Sequence, residues 1–240
     1  MNNSAIILAG GSGSRMKGVV ADKCLANLCG KPVILHSAQA FILSECVSEI
    51  VFVCRDLEQE NSIKSAVCEP AKKHGVKTVF TRGGKERYNS VLNGINASCK
   101  NSEFVFIHDG ARPLVGSQNI KNLLLSAQKF GASVLAAKVV DTIKKNESFP
   151  NTEFCKLADL DRKTLFAMQT PQVFKRDKIL EAYNYVISNN IQITDDVAAY
   201  STLGLNVAVV ENGSYNPKIT VPDDIALVEY IISKKNESKI

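Results

Sequence analysis

The sequence predicts an α/β protein built on a doubly wound, mostly parallel sheet. Three observations carry this prediction. Short apolar runs bounded by glycine or polar residues recur along the chain, each too short for a helix. Longer stretches between them repeat their apolar residues at helical spacing. Several of the apolar runs also break directly into glycine-rich or charged turns, as strands of a parallel sheet do at their C-terminal edge, where such sheets bind ligands.

The elements follow in order. Ala5-Ile6-Ile7-Leu8 reads as a buried first strand. It breaks into Gly10-Gly11-Ser12-Gly13-Ser14, followed by Arg15 and, further on, Lys23. Glycines let a backbone approach a ligand closely, and such a loop can aim several N–H groups at one phosphate. A plain tight turn accounts for the glycines but not for the two cations. The pattern GxxxxGK[ST] is absent, and GxGxxG is only half present, with Met16 at the position of its last glycine. Gly30-Lys31-Pro32 then opens a helix with Pro32 at its first position, and Val33, Ile34, Ala38, Phe41 and Ile42 form its apolar face. Glu49–Cys54 is a second strand, Glu58–His74 a helix ended by Gly75, and Val76–Phe80 a third strand.

Thr81 to Ser90, read TRGGKERYNS, repeats the first geometry: a strand ends, two glycines turn and a helix begins. Its polar residues could read a base or a ribose. Phe104–Ile107 is a fourth strand running into His108-Asp109-Gly110-Ala111-Arg112-Pro113. This places a carboxylate at a strand's C-terminal end, suited to a metal ion or a sugar hydroxyl, with Arg112 in reach of a phosphate. Ser117–Phe130 is an amphipathic helix and Ala132–Val140 a fifth strand. The rhythm then changes. Asp141 to about Leu160 reads as extended pieces around a turn-rich centre, and a hairpin of this kind needs a partner to cover its apolar side. Arg162–Phe174 returns to the sheet, and Lys175–Asn189 is helical. Thr194 caps a further helix in Ile193-Thr194-Asp195-Asp196, Leu205–Val210 is the last strand, and Pro222-Asp223-Asp224 starts the final helix.

Composition narrows the function. A hydrophobic content of 45% over 240 residues supports one sizeable core. The net charge of +5 is scattered, which fits a small anionic substrate and not a nucleic-acid surface. No apolar run approaches membrane-spanning length, and the N-terminus lacks the basic start of a signal peptide. Seven cysteines without a CxxC pair fit reduced thiols in a cytoplasmic protein. His36, His74 and His108 share no metal-ligand spacing.

The segments LAGGSGSRM with Lys23, GGKERYNSV, HDGARP, DTIK, TPQVF, ITDD and KITVPDD, in that order from Leu8 to Asp224, resemble the cytidylyltransferases that couple CTP to a polyol phosphate. The likeness is greatest to the methylerythritol phosphate cytidylyltransferases of isoprenoid biosynthesis. The resemblance implies a single Rossmann-like domain over residues 1–240, with a projecting β-arm at about 141–160 that makes a homodimer. It implies CTP and a polyol phosphate as substrates, with Mg2+ or another divalent cation held mainly by the CTP phosphates near Asp109. Arg15, Lys23 and Lys218 would grip the triphosphate and stabilise the transition state. Ala9, Gly10, Gly11, Ser12, Gly13, Asp109 and Gly110 would line the nucleotide, and Gly84, Lys85 and Ser90 would select cytosine. Asp109, Arg112, Thr194 and Lys218 would contact the acceptor, and Thr142 and Arg162 would reach the acceptor phosphate of the neighbouring subunit.

Other readings stay open on the sequence. The form LAGG is shared with ribitol phosphate cytidylyltransferases, which make CDP-ribitol, and Pro217 removes a backbone donor beside Lys218. A glycosyltransferase would carry a DxD metal site, but Asp159-Leu160-Asp161 falls after the arm. A non-catalytic nucleotide-binding regulator would not need Arg15, Lys23 and Arg112 at one crevice.

Overall fold

A computed structural model describes residues 2–11, 16 and 22–237. The chain runs β1 (Ser4–Leu8), β2 (Asn27–Leu28), β3 (Lys31–Pro32), α1 (Val33–Ser44), β4 (Glu49–Cys54), α2 (Leu57–Lys73), β5 (Lys77–Arg82), α3 (Arg87–Ala97) and β6 (Phe104–Asp109). It continues through α4 (Ser117–Phe130), β7 (Ala132–Lys138), β8 (Lys144–Asn146), β9 (Leu157–Asp159), β10 (Phe166–Lys175), α5 (Arg176–Ser188), α6 (Asp196–Ser201), β11 (Ala208–Glu211) and α7 (Asp223–Glu237).

Seven strands form one sheet in the order β11-β7-β10-β6-β1-β4-β5. All pairs are parallel except those of β10, which runs antiparallel to both β6 and β7. The expected mostly parallel, doubly wound sheet is therefore present. Strand residues alternate between two helical layers, as the period of 2 requires. Ala5 and Ile7 of β1 face the core shared with α1, α2 and α4, while Ile6 faces the core shared with α3, α5 and α6. Gly94 shows how closely α3 lies on the sheet, since a Cβ there would stand 2.4 Å from Ile6 Cγ2.

From β1 the chain winds outward through β4 to β5, then returns across β1 to β6. Winding reverses between β1 and β6, and that reversal opens a crevice at the strands' C-terminal ends. The register pairs Leu8 with Asp109, so the start of the glycine loop and the acidic strand end lie side by side.

Several boundaries differ from expectation. Pro32 is the N-cap of α1, not its first residue; it sits in β3 with ψ of 143°, which joins a short β2–β3 ladder to the helix. Asp195, not Thr194, caps α6, because its carboxylate accepts the Ala198 N–H at 2.8 Å. β7 stops at Lys138, where its pairing with Phe166 of β10 ends. The stretch from 141 to 160 forms a small hairpin, β8 against β9, with Phe149 and Phe154 left 78% and 91% exposed. All seven cysteines are free, and no helix among the described residues is long and apolar enough to cross a membrane.

Candidate active site

A cavity of about 350 Å³ opens over the C-terminal ends of β1 and β6. It gathers three turns that the sequence placed on this edge: Ala9, Gly10 and Gly11 after β1, Gly84 and Lys85 before α3 with Ser90 in its first turn, and Asp109 at the end of β6. Lys23 and Lys218 also line it. Ser12, Gly13 and Arg15 lie outside the described residues. Gly110 does not line the cavity. It is buried below, its N–H given to Leu8 O at 2.9 Å, with room for no Cβ beside Ile34.

The turn before α3 is held by its own side chains. Ser90 Oγ accepts the Gly84 N–H at 3.0 Å, and the side chain of Asn89 accepts the Glu86 N–H at 3.1 Å, one half of a reciprocal cap. Gly84 must be glycine, because a Cβ would stand 2.3 Å from that of Asn89. The hydroxyl expected to meet cytosine thus also closes the loop.

Asp109 is the electrostatic centre. Lys218 Nζ donates to its carboxylate at 2.8 Å, Arg112 Nε lies 3.6 Å away and an Arg87 nitrogen 3.8 Å. Burial alone would raise this carboxyl, but Lys218, Arg87 and Arg112 outweigh it and hold Asp109 well below the usual carboxylate range. It therefore stays ionised. Ile219 N–H bonds Ala111 O at 2.8 Å and brings the Lys218 segment to the end of β6. Asn216, buried, reaches Thr170 O, and Arg112 donates to Asn216 O at 2.8 Å. These anchors flank Pro217, so the missing donor does not loosen the segment.

Beneath Asp109 runs a chain of donors. The Asp109 N–H donates to Thr170 Oγ1, the Thr170 hydroxyl to His108 Nδ1, and His108 Nε2–H to Arg112 O, at 3.1, 3.0 and 3.2 Å. The Arg112 carbonyl can only accept, which places a proton on Nε2, and burial disfavours a second proton, so Nδ1 is left to accept from the Thr170 hydroxyl. Burial pushes His108 down to about 4. Cys24 lines the cavity, but burial, then Asp22, push its thiol up to about 12, so it is no nucleophile at neutral pH.

Arg87, not singled out by the sequence reading, forms a wall between this cavity and a neighbouring one of about 640 Å³ that holds Thr194. Its guanidinium grips the fully buried Asp196 with two bonds, at 2.7 and 2.8 Å, and Tyr183 donates to the same carboxylate. Asp196 is the first residue of α6, and its main partner is this arginine. Arg112 joins the site through Asp109 and not as a cavity wall. Thr142 and Arg162 lie apart from the cavity and exposed, in the arm and just after it. Arg162 has a partner within the chain, donating to Val140 O at 2.8 Å.

The sequence model of the IspD family, 2-C-methyl-D-erythritol 4-phosphate cytidylyltransferase, matches residues 4–234. The chain belongs to the IspD family. Its relatives include the chloroplastic 2-C-methyl-D-erythritol 4-phosphate cytidylyltransferase of Oryza sativa subsp. japonica, 37% identical over 97% of this chain and 75% of that one. The Clostridium acetobutylicum enzyme of the same name is 36% identical over 98% of this chain and 99% of its own. Among solved structures, the 4-diphosphocytidyl-2C-methyl-D-erythritol synthase of Anaerococcus prevotii superposes with a TM-score of 0.82 at 25% identity, covering 97% and 96% of the two chains. The Thermus thermophilus cytidylyltransferase gives 0.74 at 27% identity, covering 96% and 98%. The IspD match makes the chain a nucleotidyltransferase, and the seven-stranded sheet is the one these structures share.

Proposed function

We infer that this IspD-family chain transfers CMP from CTP to 2-C-methyl-D-erythritol 4-phosphate and releases pyrophosphate. The observation that carries the reading is the cavity at the β1–β6 crevice, where Gly10 and Gly11 face Lys23, Lys218 and an ionised Asp109. The relatives' names supply the acceptor and favour it over ribitol phosphate.

An acceptor phosphate with a second pKa of about 6 is mostly dianionic at neutral pH and needs no general base. One of its oxygens forms a bond to the α-phosphorus as the bond to the bridging oxygen breaks, and pyrophosphate leaves with that electron pair. The task left to the protein is to bring two anions together and hold the charge that develops. Lys23, Lys218 and Arg15 carry that role, and Arg112 and Thr194 hold the acceptor. Gly84, Lys85 and Ser90 select cytosine. Among the described residues no cluster of three His, Cys, Asp or Glu side chains could cage a metal. A single carboxylate, Asp109, beside a phosphate-binding loop fits Mg2+, which binds through one or two carboxylates plus substrate phosphates. When bound, the ion would neutralise phosphate charge.

The exposed apolar arm supports a homodimer in which Thr142 and Arg162 complete the other subunit's site. A pyrophosphate-release assay tests the whole reading, with CTP or UTP paired with methylerythritol phosphate or ribitol phosphate. Turnover should be restricted to CTP with methylerythritol phosphate. Comparable kcat/KM with UTP removes the cytosine assignment, and preference for ribitol phosphate removes the acceptor.

A further inference from the structure

Outside the cavity, one buried side chain ties the exit of β1 to the residue just before Lys23. Gln59, in the first turn of α2, is 1% exposed. Its carboxamide nitrogen donates to Ala9 O at 3.0 Å and to Asp22 Oδ2 at 2.5 Å, and its oxygen accepts the Arg55 N–H at 2.6 Å. Both donors and the acceptor are thus used. Ala9 and Asp22 are distant in sequence, and this amide joins them.

Asp22 is itself fixed from two further directions. Its other oxygen accepts the Cys24 N–H at 2.9 Å, and Arg55 lies against it at 3.3 Å. Cys24 N–H and Asp22 flank Lys23, which lines the cavity. Arg55 is held in turn by Asp56, whose carboxylate also caps α2 through the Gln59 N–H at 2.8 Å. A rigid helix start therefore carries one amide that locates both the exit of β1 and the backbone on each side of Lys23.

We propose that Gln59 is a positioning residue for the transfer reaction: its amide, through Asp22, holds Lys23 in register with the phosphate-binding turn at Gly10 and Gly11. This rests on the reading of Lys23 as a triphosphate ligand. The chemistry needs such a brace. Electrostatic stabilisation by a lysine depends on where its ammonium stands, and a displacement of about 1 Å can cost about 100-fold in rate. Lysine, with four rotatable bonds, does not supply that order itself.

The test is a double-mutant cycle between Gln59→Leu and Lys23→Ala, with Asp22→Ala as a second way to cut the tie should Gln59→Leu fold poorly. Steady-state kinetics are taken for CTP and for the acceptor separately, with thermal melts alongside. Gln59→Leu and Asp22→Ala should each lower kcat/KM for CTP by about 10- to 100-fold. The loss should include a raised KM for CTP while the acceptor KM stays constant. A purely structural role would lower the folded fraction, and so kcat, with both KM values unchanged. In the Lys23→Ala background, Gln59→Leu should cost less than about twofold, because the side chain it positions is gone. Full additivity, or wild-type kinetics for both Gln59→Leu and Asp22→Ala, overturns the proposal while leaving Lys23 in its role. Wild-type kinetics for Lys23→Ala would instead remove the triphosphate role, and the brace with it.

Discussion

Replacing Asp196 by alanine should both unfold the protein earlier and impair the site. Asp196 is fully buried and bonded twice to Arg87, with Tyr183 as a third donor. Removing one partner of a buried pair costs about 3–5 kcal/mol, because a charge is left without compensation. Arg87 retains 35% exposure, so water recovers part of its charge and the lower end applies. The stranded Tyr183 hydroxyl adds about 1 kcal/mol. A loss of about 4 kcal/mol corresponds to a drop in Tm of about 8–16 °C for a chain of this size. Urea unfolding followed by circular dichroism, with kcat/KM for both substrates, measures both effects. The Arg87→Leu, Asp196→Leu double variant should recover stability relative to Asp196→Ala, since neither charge remains buried, yet stay impaired because Arg87 lines both cavities. A cost below about 1 kcal/mol for Asp196→Ala, at unchanged m-value, would refute the idea that this pair is desolvated.

Three further outcomes are expected. Lys218→Met should cut kcat/KM by 100-fold or more, about 3 kcal/mol of transition-state charge stabilisation, and should move the acid limb of the rate profile to higher pH. Lys218 is the largest influence holding Asp109 ionised, and an unmoved acid limb would separate the two residues. His108 folds as a neutral imidazole with its pKa at about 4, against about 6.5 unfolded, so its contribution is complete above pH 6.5 and is lost as pH falls towards 4. Urea midpoints for His108→Asn should therefore fall less steeply over that window than those of the native chain, and equal slopes would count against it. Finally, if the site is shared as proposed, the Arg162→Ala and Lys23→Ala variants should each be nearly inactive, and refolding them together should restore activity in heterodimers with one intact composite site. A sedimentation experiment showing a monomer, or no recovery in verified heterodimers, would end the shared-site reading.

The strands and the crevice were legible because their signals are local. Ile6 and its neighbours alternate between two cores, and the glycines after Leu8 and Phe80 mark where the backbone turns. Asp109 could be singled out because it ends an apolar run. Arg87 and Asp196 could not be paired, since the contact joins α3 to α6 across the fold and each residue has a sufficient local explanation as a helix-start charge. The same holds for Gln59, an ordinary polar residue in the first turn of an amphipathic helix until Ala9 and Asp22 are placed beside it. The capping error at Thr194 has a similar origin. Thr194 and Asp195 are both good caps, and only the reach of the Asp195 carboxylate to the Ala198 N–H decides between them.

The arm leaves the sheet after Lys138 and re-enters it at Phe166, two residues paired directly across β7 and β10. Its two ends are thus fixed by the sheet itself, whatever lies between them. Lengthening such an excursion costs only about 0.6 kcal/mol per doubling, so the length of chain between those two ends can change with little penalty to the sheet. The sheet behaves as a socket that holds both ends of the arm, so the arm's reach and the floor beneath the crevice can change at independent rates.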